Sequence, residues 1–414
     1  MPQMNPMLDE LLLDVATTIE LSDHDRRVAE GRYRQLKKHL ERSSSPLAPY
    51  LEDGVSLIYP QGSAATATTV VSGTDDERFD LDAIVDFVVP PTWTPRQTLE
   101  ILHEALLGFP GVKEIELCTR CVQLRFAFMH LDVTPLDQDV PLRAPRTGDI
   151  CHAPTEGASL RIRANPFGFG EWFRDQMGAN PAFGEALRKQ RELYGVNRLE
   201  NVGSTKAAEQ DDLPDMIPPR LDTQRVVALK LLKRFVKLRY EHRDVRVPPS
   251  IYLAFFAGHA SESEFGLFAQ LLELSRAIGQ DLGRHLSAGT HPDHRNPALG
   301  EDRINDRWPE RASDMRLFAE DLRHFENALD AASTEDFEGI ATILKELFGE
   351  RVRERAVSAY LKRQTTDSSL GGSRHVAGVG TSLGASAVAA PAVARATRRT
   401  PDHAFHVDAA DNHK

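Results

Sequence analysis

The chain has 414 residues, enough for two ordinary domains with a core each, and its 41% apolar and 27% charged residues are a globular composition. A formal charge of −11 argues against a protein whose whole surface grips nucleic acid, although a local basic groove fits within it. No apolar run approaches the ~18–20 residues that cross a bilayer. "MPQMNPMLDELLLDVATTIELS" lacks the basic lead-in and cleavage site of a signal peptide. Three cysteines give no disulfide framework, and the expected location is the cytoplasm.

Taken in chain order, Asp23 to Glu41 has Val28, Tyr33, Leu36 and Leu40 at helical spacing, which predicts a charged amphipathic helix. "SSSPLAP" is a turn cluster, and "VSLIYP" is a short strand that runs into Gln61-Gly62-Ser63. "FDLDAIVDFVVP" is a second strand, and Thr94 ahead of Pro95 caps a helix over "PRQTLEILHEALLGF". "EIELCTRCVQLRFAFMHLDVTPL" supplies one or two further strands. Cys118 and Cys121, read on such a strand, point to opposite faces. A shared zinc ion would then need a sharp bend and ligands from elsewhere, so plain buried thiols are expected. This order predicts a small α/β (α+β) domain with a mixed sheet over residues 1–160.

Helical periodicity takes over from Pro166. In "LDTQRVVALKLLKRFVKLRYEH", Val226, Leu229, Leu232, Phe235 and Val236 form an apolar stripe with Arg225, Lys233, Lys237 and Arg239 around it. Further helical segments follow, so a mostly helical second domain is expected over residues 161–364, with a polar surface connector at "ENVGSTKAAEQDDLPDMIPPR". From Thr365 the chain is rich in Ala, Gly, Ser and Val with almost no aromatics, and residues 365–414 are expected to be a disordered tail.

The segment "YPQGSAATATTVVSGTDDERFDLDAIVDF" carries the chemistry. On a strand, Asp80 and Asp82 share one face about 7 Å apart, while Leu81, Ala83, Val85 and Phe87 face a core. Paired carboxylates repel unless a cation lies between them, and Mg²⁺ with its preference for carboxylate, water and phosphate oxygens is the usual one. Asp132 in "FAFMHLDVTPLD" adds a third acid near the end of another strand, and three such acids can hold two metal ions for a phosphoryl displacement. Gly62 allows close approach of a triphosphate, and Ser63 offers a hydroxyl and an N–H at a short helix start. Asp86 has the same parity but lies two residues too far along, and it reads as a solvated strand-end carboxylate. His130 reads as an orienting or core residue.

Gly62-Ser63, then Asp80-x-Asp82, then Asp132 in "HLDVTP" resemble the polymerase-β-like nucleotidyltransferase superfamily. "RANPFGFGEWF", "LLKRFVKLRYEHRDVRVPPSIYLAFF" and "RNPALGEDRINDRW" narrow this to a resemblance to the bacterial cGAS/DncV-like nucleotidyltransferases, the cyclic-oligonucleotide synthases of anti-phage signalling systems, over about residues 25–360. The resemblance implies a polymerase-β-like core with a helical second domain. It implies two Mg²⁺ ions, with Mn²⁺ an alternative, on Asp80, Asp82 and Asp132. It also implies NTP substrates, ATP among them, and a cyclic di- or trinucleotide product sensed by a separate effector. A regulatory protein partner is a further implication, with no membrane and no obligate nucleic acid. Ser63, Lys233 and Ser250 fall where the family contacts the donor phosphates, and Tyr252 where a base could stack. By spacing alone, Lys233 reads as an exposed helix lysine, Ser250 as a helix cap and Tyr252 as core.

One departure concerns the phosphate turn: Ala67 stands where the family has a second glycine. The loop carrying Asp75-Asp76-Glu77 is expected either over the site or at a hairpin tip. Two rival functions use the same residues: transfer of a nucleotide to a protein or tRNA, and a nucleotide-binding regulatory scaffold.

Overall fold

In the computed structural model, which describes residues 5–51, 57–71, 79–138, 146–199 and 217–369, period-two alternation builds a seven-stranded mixed sheet. Its strands are β1 (Leu57–Gln61), β2 (Phe79–Phe87), β3 (Glu114–Leu117), β4 (Val122–Arg125), β5 (Met129–Gln138), β6 (Gly148–His152) and β7 (Leu160–Ala164). They lie in the order β1-β2-β5-β4-β3, with β6 pairing the last residues of β5 and β7 pairing β6. β2 and β5 are parallel and every other pair is antiparallel.

The stretch expected to hold one or two strands holds three, because tight turns interrupt it. Cys118 N–H donates to Cys121 O at 2.9 Å and Phe126 N–H to Met129 O at 2.9 Å. The cysteines therefore flank a two-residue turn instead of sitting on opposite faces of one strand. Of the thiols expected to be buried, Cys118 and Cys121 are only half-buried at that turn, whereas Cys151 is buried, which pushes its thiol up to about 11.

The helices are α1 (Pro6–Ile19), α2 (Asp23–Leu40), α3 (Ala48–Leu51), α4 (Gly62–Ala65), α5 (Pro95–Leu106), α6 (Pro166–Gln176), α7 (Pro181–Leu199), α8 (Gln224–Tyr240), α9 (Ser250–His259), α10 (Gly266–Ala288), α11 (Ala312–Ala332), α12 (Phe337–Phe348) and α13 (Glu350–Ser369). Thr94 caps α5 as its sequence foretells, in a reciprocal box with Gln97. One face of the sheet, through Leu81, Ala83, Val85, Phe87, Leu131 and Val133, shares a core with Tyr33 and Leu36 of α2 and Leu102 of α5.

A second, larger core gathers α8, α10, α11, α12 and α13. Chain order does not divide the two cores cleanly. Leu8, Leu11, Leu12, Val15 and Ile19 of α1 lie in the helical core, although they fall within residues 1–160. β7 carries the sheet to Ala164. α13 runs to Ser369, past the expected start of the tail, while residues 370–414, Asp75-Asp76-Glu77 and most of the polar connector lie outside the described residues. Among the described residues, no helix is long and apolar enough to cross a membrane.

A short hairpin of β8 (Arg295–Asn296) and β9 (Leu299–Arg303) clasps the helical part to the sheet. Asn296 donates to Asn165 O and to the Asp302 carboxylate, both at 2.8 Å, and Asn165 N–H donates to Asp302 at 3.0 Å. The Asn165 amide then caps α6 at Gly168 N–H (2.7 Å) and donates to Thr147 at 3.0 Å. Asp302→Ala removes the acceptor for two donors at once. It is expected to cost about 1–3 kcal/mol, read as a fall of several degrees in Tm by differential scanning fluorimetry.

Candidate active site

The face of the sheet away from the α2 core carries the acids. Asp82 and Asp132 are direct register partners on the parallel strands β2 and β5, and Asp80 is the partner of His130. On the other side of β2, Gln61 pairs with Asp82, so the Gly62-Ser63 turn leaves β1 one residue beyond the second acid. Asp80, Asp82, Asp132, Gly62 and Ser63 are thus gathered at one end of the sheet.

Gly62 is tied to this place twice. Its φ is +57°, and a Cβ there would stand 2.6 Å from Asp82 Oδ2. The threonines after it bind the turn: Thr66 donates to Gly62 O (3.1 Å), Thr68 N–H to Ser63 O (2.8 Å), and the Ser63 and Thr69 hydroxyls are paired at 3.1 Å. Ala67 takes φ +55°, so alanine adopts the left-handed backbone that the glycine of the related motif would adopt freely. Ala67→Gly is expected to raise unfolding stability by about 0.5–1 kcal/mol in a urea titration, the relief of strain outweighing the added unfolded-state entropy.

α8 is more deeply buried than the single apolar stripe of the sequence reading implies. It is buried on nearly all sides, and its cations reach acceptors built for them. Lys233 is buried, its Nζ donating to Thr68 O at 2.9 Å and Thr68 Oγ1 at 3.2 Å, so it grips the glycine-serine turn and is not an exposed helix lysine. Burial pulls its pKa down to about 7 against the attraction of Asp82. One turn further, Lys237 lies 3.7 Å from Asp80.

Ser250 is exposed at the first position of α9, whose cap residue is Pro249. Tyr252 is fully buried and donates to Asp281 at 3.1 Å among Phe256, His294 and Trp308, which makes it a core residue with no face for a base. Asp86 is also fully buried, beside Arg146 at 3.3 Å, and is not a solvated strand end. His130 Nδ1 stands 3.7 Å from Asp80.

The acids are under strain from one another. Burial, then the charges of Asp132 and Asp80, push Asp82 up to about 8, and Lys233 only partly offsets them. Burial raises Asp132 to about 6 against a hydrogen bond from Gln123, with the charge of Asp80 adding to the rise. As the side chains stand, no three His, Cys, Asp or Glu residues close around one point among the described residues. Even so, the donor set fits a hard divalent cation: carboxylate oxygens on one face, in register, whose mutual repulsion a cation would relieve.

The sequence reading missed Gln123, which donates to Asp132 Oδ1 at 2.8 Å, and Tyr33, whose hydroxyl donates to Asp82 O at 3.0 Å. Gln123 was findable only from strand pairing, as the β4 partner of Asp132.

A parallel strand pair bearing in-register aspartates beside a glycine-serine turn, backed by a helical unit, is the arrangement that the resemblance to polymerase-β-like nucleotidyltransferases implies. No family model matches the chain. It is 33% identical over 364 residues to the cyclic dinucleotide synthase CdnG of Bradyrhizobium diazoefficiens, covering 86% of this chain and 84% of that protein. The solved structure of the Bradyrhizobium diazoefficiens CD-NTase CdnG with GTP superposes with a TM-score of 0.72 at 31% identity, covering 87% of this chain and all of that one. The structure of Escherichia coli MS115-1 CdnC with ATP, at 14% identity and TM-score 0.54, covers 83% and 98% of the two chains and shares the fold. The chain belongs to the cGAS/DncV-like nucleotidyltransferases, the CD-NTases, and is a nucleotidyltransferase.

The raised pKa of Asp82 has a consequence for stability. The folded chain holds a proton there that the unfolded chain releases near pH 4, so stability falls as pH climbs from about 4 through 8. In EDTA, Asp82→Asn is expected to melt above wild type by about 2 °C or more at pH 7.5, the gap closing toward pH 4, as followed by calorimetry.

Proposed function

We propose that the protein joins nucleoside triphosphates and closes them into a cyclic dinucleotide, releasing pyrophosphate, with GTP and ATP as substrates. The observation that carries this reading is the register of Asp82 with Asp132 on adjacent parallel strands, the glycine-serine turn beginning beside them. The kinship with a protein named as a cyclic dinucleotide synthase, solved with GTP, favours two nucleotides over three and guanine among the bases.

In this reading Asp80, Asp82 and Asp132 would hold two Mg²⁺ ions, which would neutralise triphosphate charge and lower the pKa of the attacking hydroxyl. Gly62 and Ser63 seat the donor triphosphate, the first through its missing side chain and the second through its hydroxyl and N–H. Lys233 fixes the turn from behind through Thr68 and adds positive potential there. Ser250, exposed at the start of α9, offers a hydroxyl to the same phosphates. The ribose hydroxyl oxygen of the acceptor forms a bond to the α-phosphorus as the bond to the bridging α–β oxygen breaks. Pyrophosphate leaves, and the hydroxyl proton passes toward Asp132. A second such step on the linear intermediate closes the ring. The product would signal to a separate effector in bacterial anti-phage defence.

Incubation with the four NTPs and Mg²⁺ and no macromolecule, followed by mass spectrometry, is expected to show a cyclic dinucleotide. EDTA, or Asp80→Ala with Asp82→Ala, should lower pyrophosphate release at least 10³-fold, the loss expected when charge stabilisation of phosphoryl transfer is removed. Product appearing only when a protein or tRNA acceptor is supplied would replace this reading with nucleotide transfer to a macromolecule.

A further inference from the structure

The hydrogen bond from Gln123 to Asp132 belongs to a longer chain of contacts. Gln123 is buried on β4 as the register partner of Asp132 on β5, and its Nε2 lies 2.8 Å from Asp132 Oδ1. Its Oε1 accepts from Arg125 Nε at 2.9 Å, two residues along the same face. Arg125 is fixed in turn by Glu116 at 2.5 Å and Glu114 at 3.4 Å, both on β3.

The chemistry of these groups permits one orientation. A guanidinium only donates, so the amide oxygen of Gln123 must face Arg125 and its NH₂ must face the carboxylate. Gln123 is the one hydrogen-bond donor to Asp132 among the described residues, which leaves Oδ2 without a donor.

From this we infer that Gln123 is a positioning residue for the third acid: it holds one oxygen of Asp132 so that the other is presented toward Asp82 and a divalent cation, and Arg125 with Glu116 sets its amide. A neutral donor suits the task. A lysine or arginine at this position would pair with Asp132 and compete with the cation, a carboxylate would repel it, and an apolar side chain would leave Oδ1 without a partner. The one formal positive charge in the relay stands a residue away and is balanced by two glutamates. The inference rests on the reading of Asp132 as a metal ligand, and outer partners of metal-holding side chains typically change affinity by about 10–100-fold.

The test is Mn²⁺ binding to the full chain with a non-hydrolysable α,β-methylene GTP analogue, followed through the electron paramagnetic resonance signal of free Mn²⁺. Wild type is compared with Gln123→Met, Arg125→Met and Asp132→Asn. Gln123→Met is expected to weaken Mn²⁺ binding roughly tenfold. Its KM for nucleotide at saturating metal should stay within about twofold, because the residue acts through Asp132 and not on the triphosphate. Arg125→Met should fall between it and wild type, since the freed amide can turn. Wild-type Mn²⁺ binding by Gln123→Met, with binding lost in Asp132→Asn, overturns the positioning role and leaves the metal site standing. Wild-type binding by Asp132→Asn removes the metal site and this inference with it. If Gln123→Met does not fold, Arg125→Met decides: unchanged Mn²⁺ binding there overturns the relay.

Discussion

Three lysines on one face of α8 lie where the helical part meets the sheet beside the candidate site. Lys230, Lys233 and Lys237 are spaced three and then four residues apart, so they share a stripe of the helix. The first meets Glu20 at 2.6 Å, the second the glycine-serine turn through Thr68, and the third Asp80. A helix so apolar elsewhere is driven into the interior by its own surface, and the ammonium groups go with it. Each must then find an acceptor: Lys230 finds Glu20 at the end of α1, while Lys233 and Lys237 find theirs on the sheet side. That requirement fixes where the sheet and its glycine-serine turn sit against the helical part.

Buried charge is handled in two opposite ways within a short distance. Around Glu20 it is fully paired: burial alone would raise that carboxyl, but Lys230 and Arg191 outweigh it and hold it near 2, while Arg191 also binds Asp222 at 2.7 Å. At Asp82 and Asp132 the balance is negative, and both carboxyls are raised. The first arrangement is what a structural joint needs. The second stores repulsion that an added cation would release, which is the usual mark of a functional cluster.

The motifs that carry the resemblance have different physical jobs. Gly62, Ser63 and the three aspartates form the candidate site. Asn165 with Asn296 and Asp302 forms the clasp between the sheet and the hairpin. Trp172 packs against Phe255 and His259, and a Cβ on Gly258 would collide with its ring, so that glycine leaves room for the indole. In this chain, then, several of those motif residues hold the parts of the fold together.

The sequence alone determined whatever depends on local periodicity and on residue type. It placed the parity of Asp80 and Asp82 opposite Leu81 and Ala83, the capped helix after Thr94, the glycine-serine turn and the family to which these motifs point. Tertiary structure decided whatever depends on which segments meet. It drew α1 into the helical core although its apolar residues lie at the chain's start. It buried Lys233 and Asp86, folded Cys118 to Cys121 into a turn, and set Gln123 against Asp132. Periodicity reports which face of an element is apolar. Only strand register and helix packing determine what that face, or a lone polar group on it, is set against.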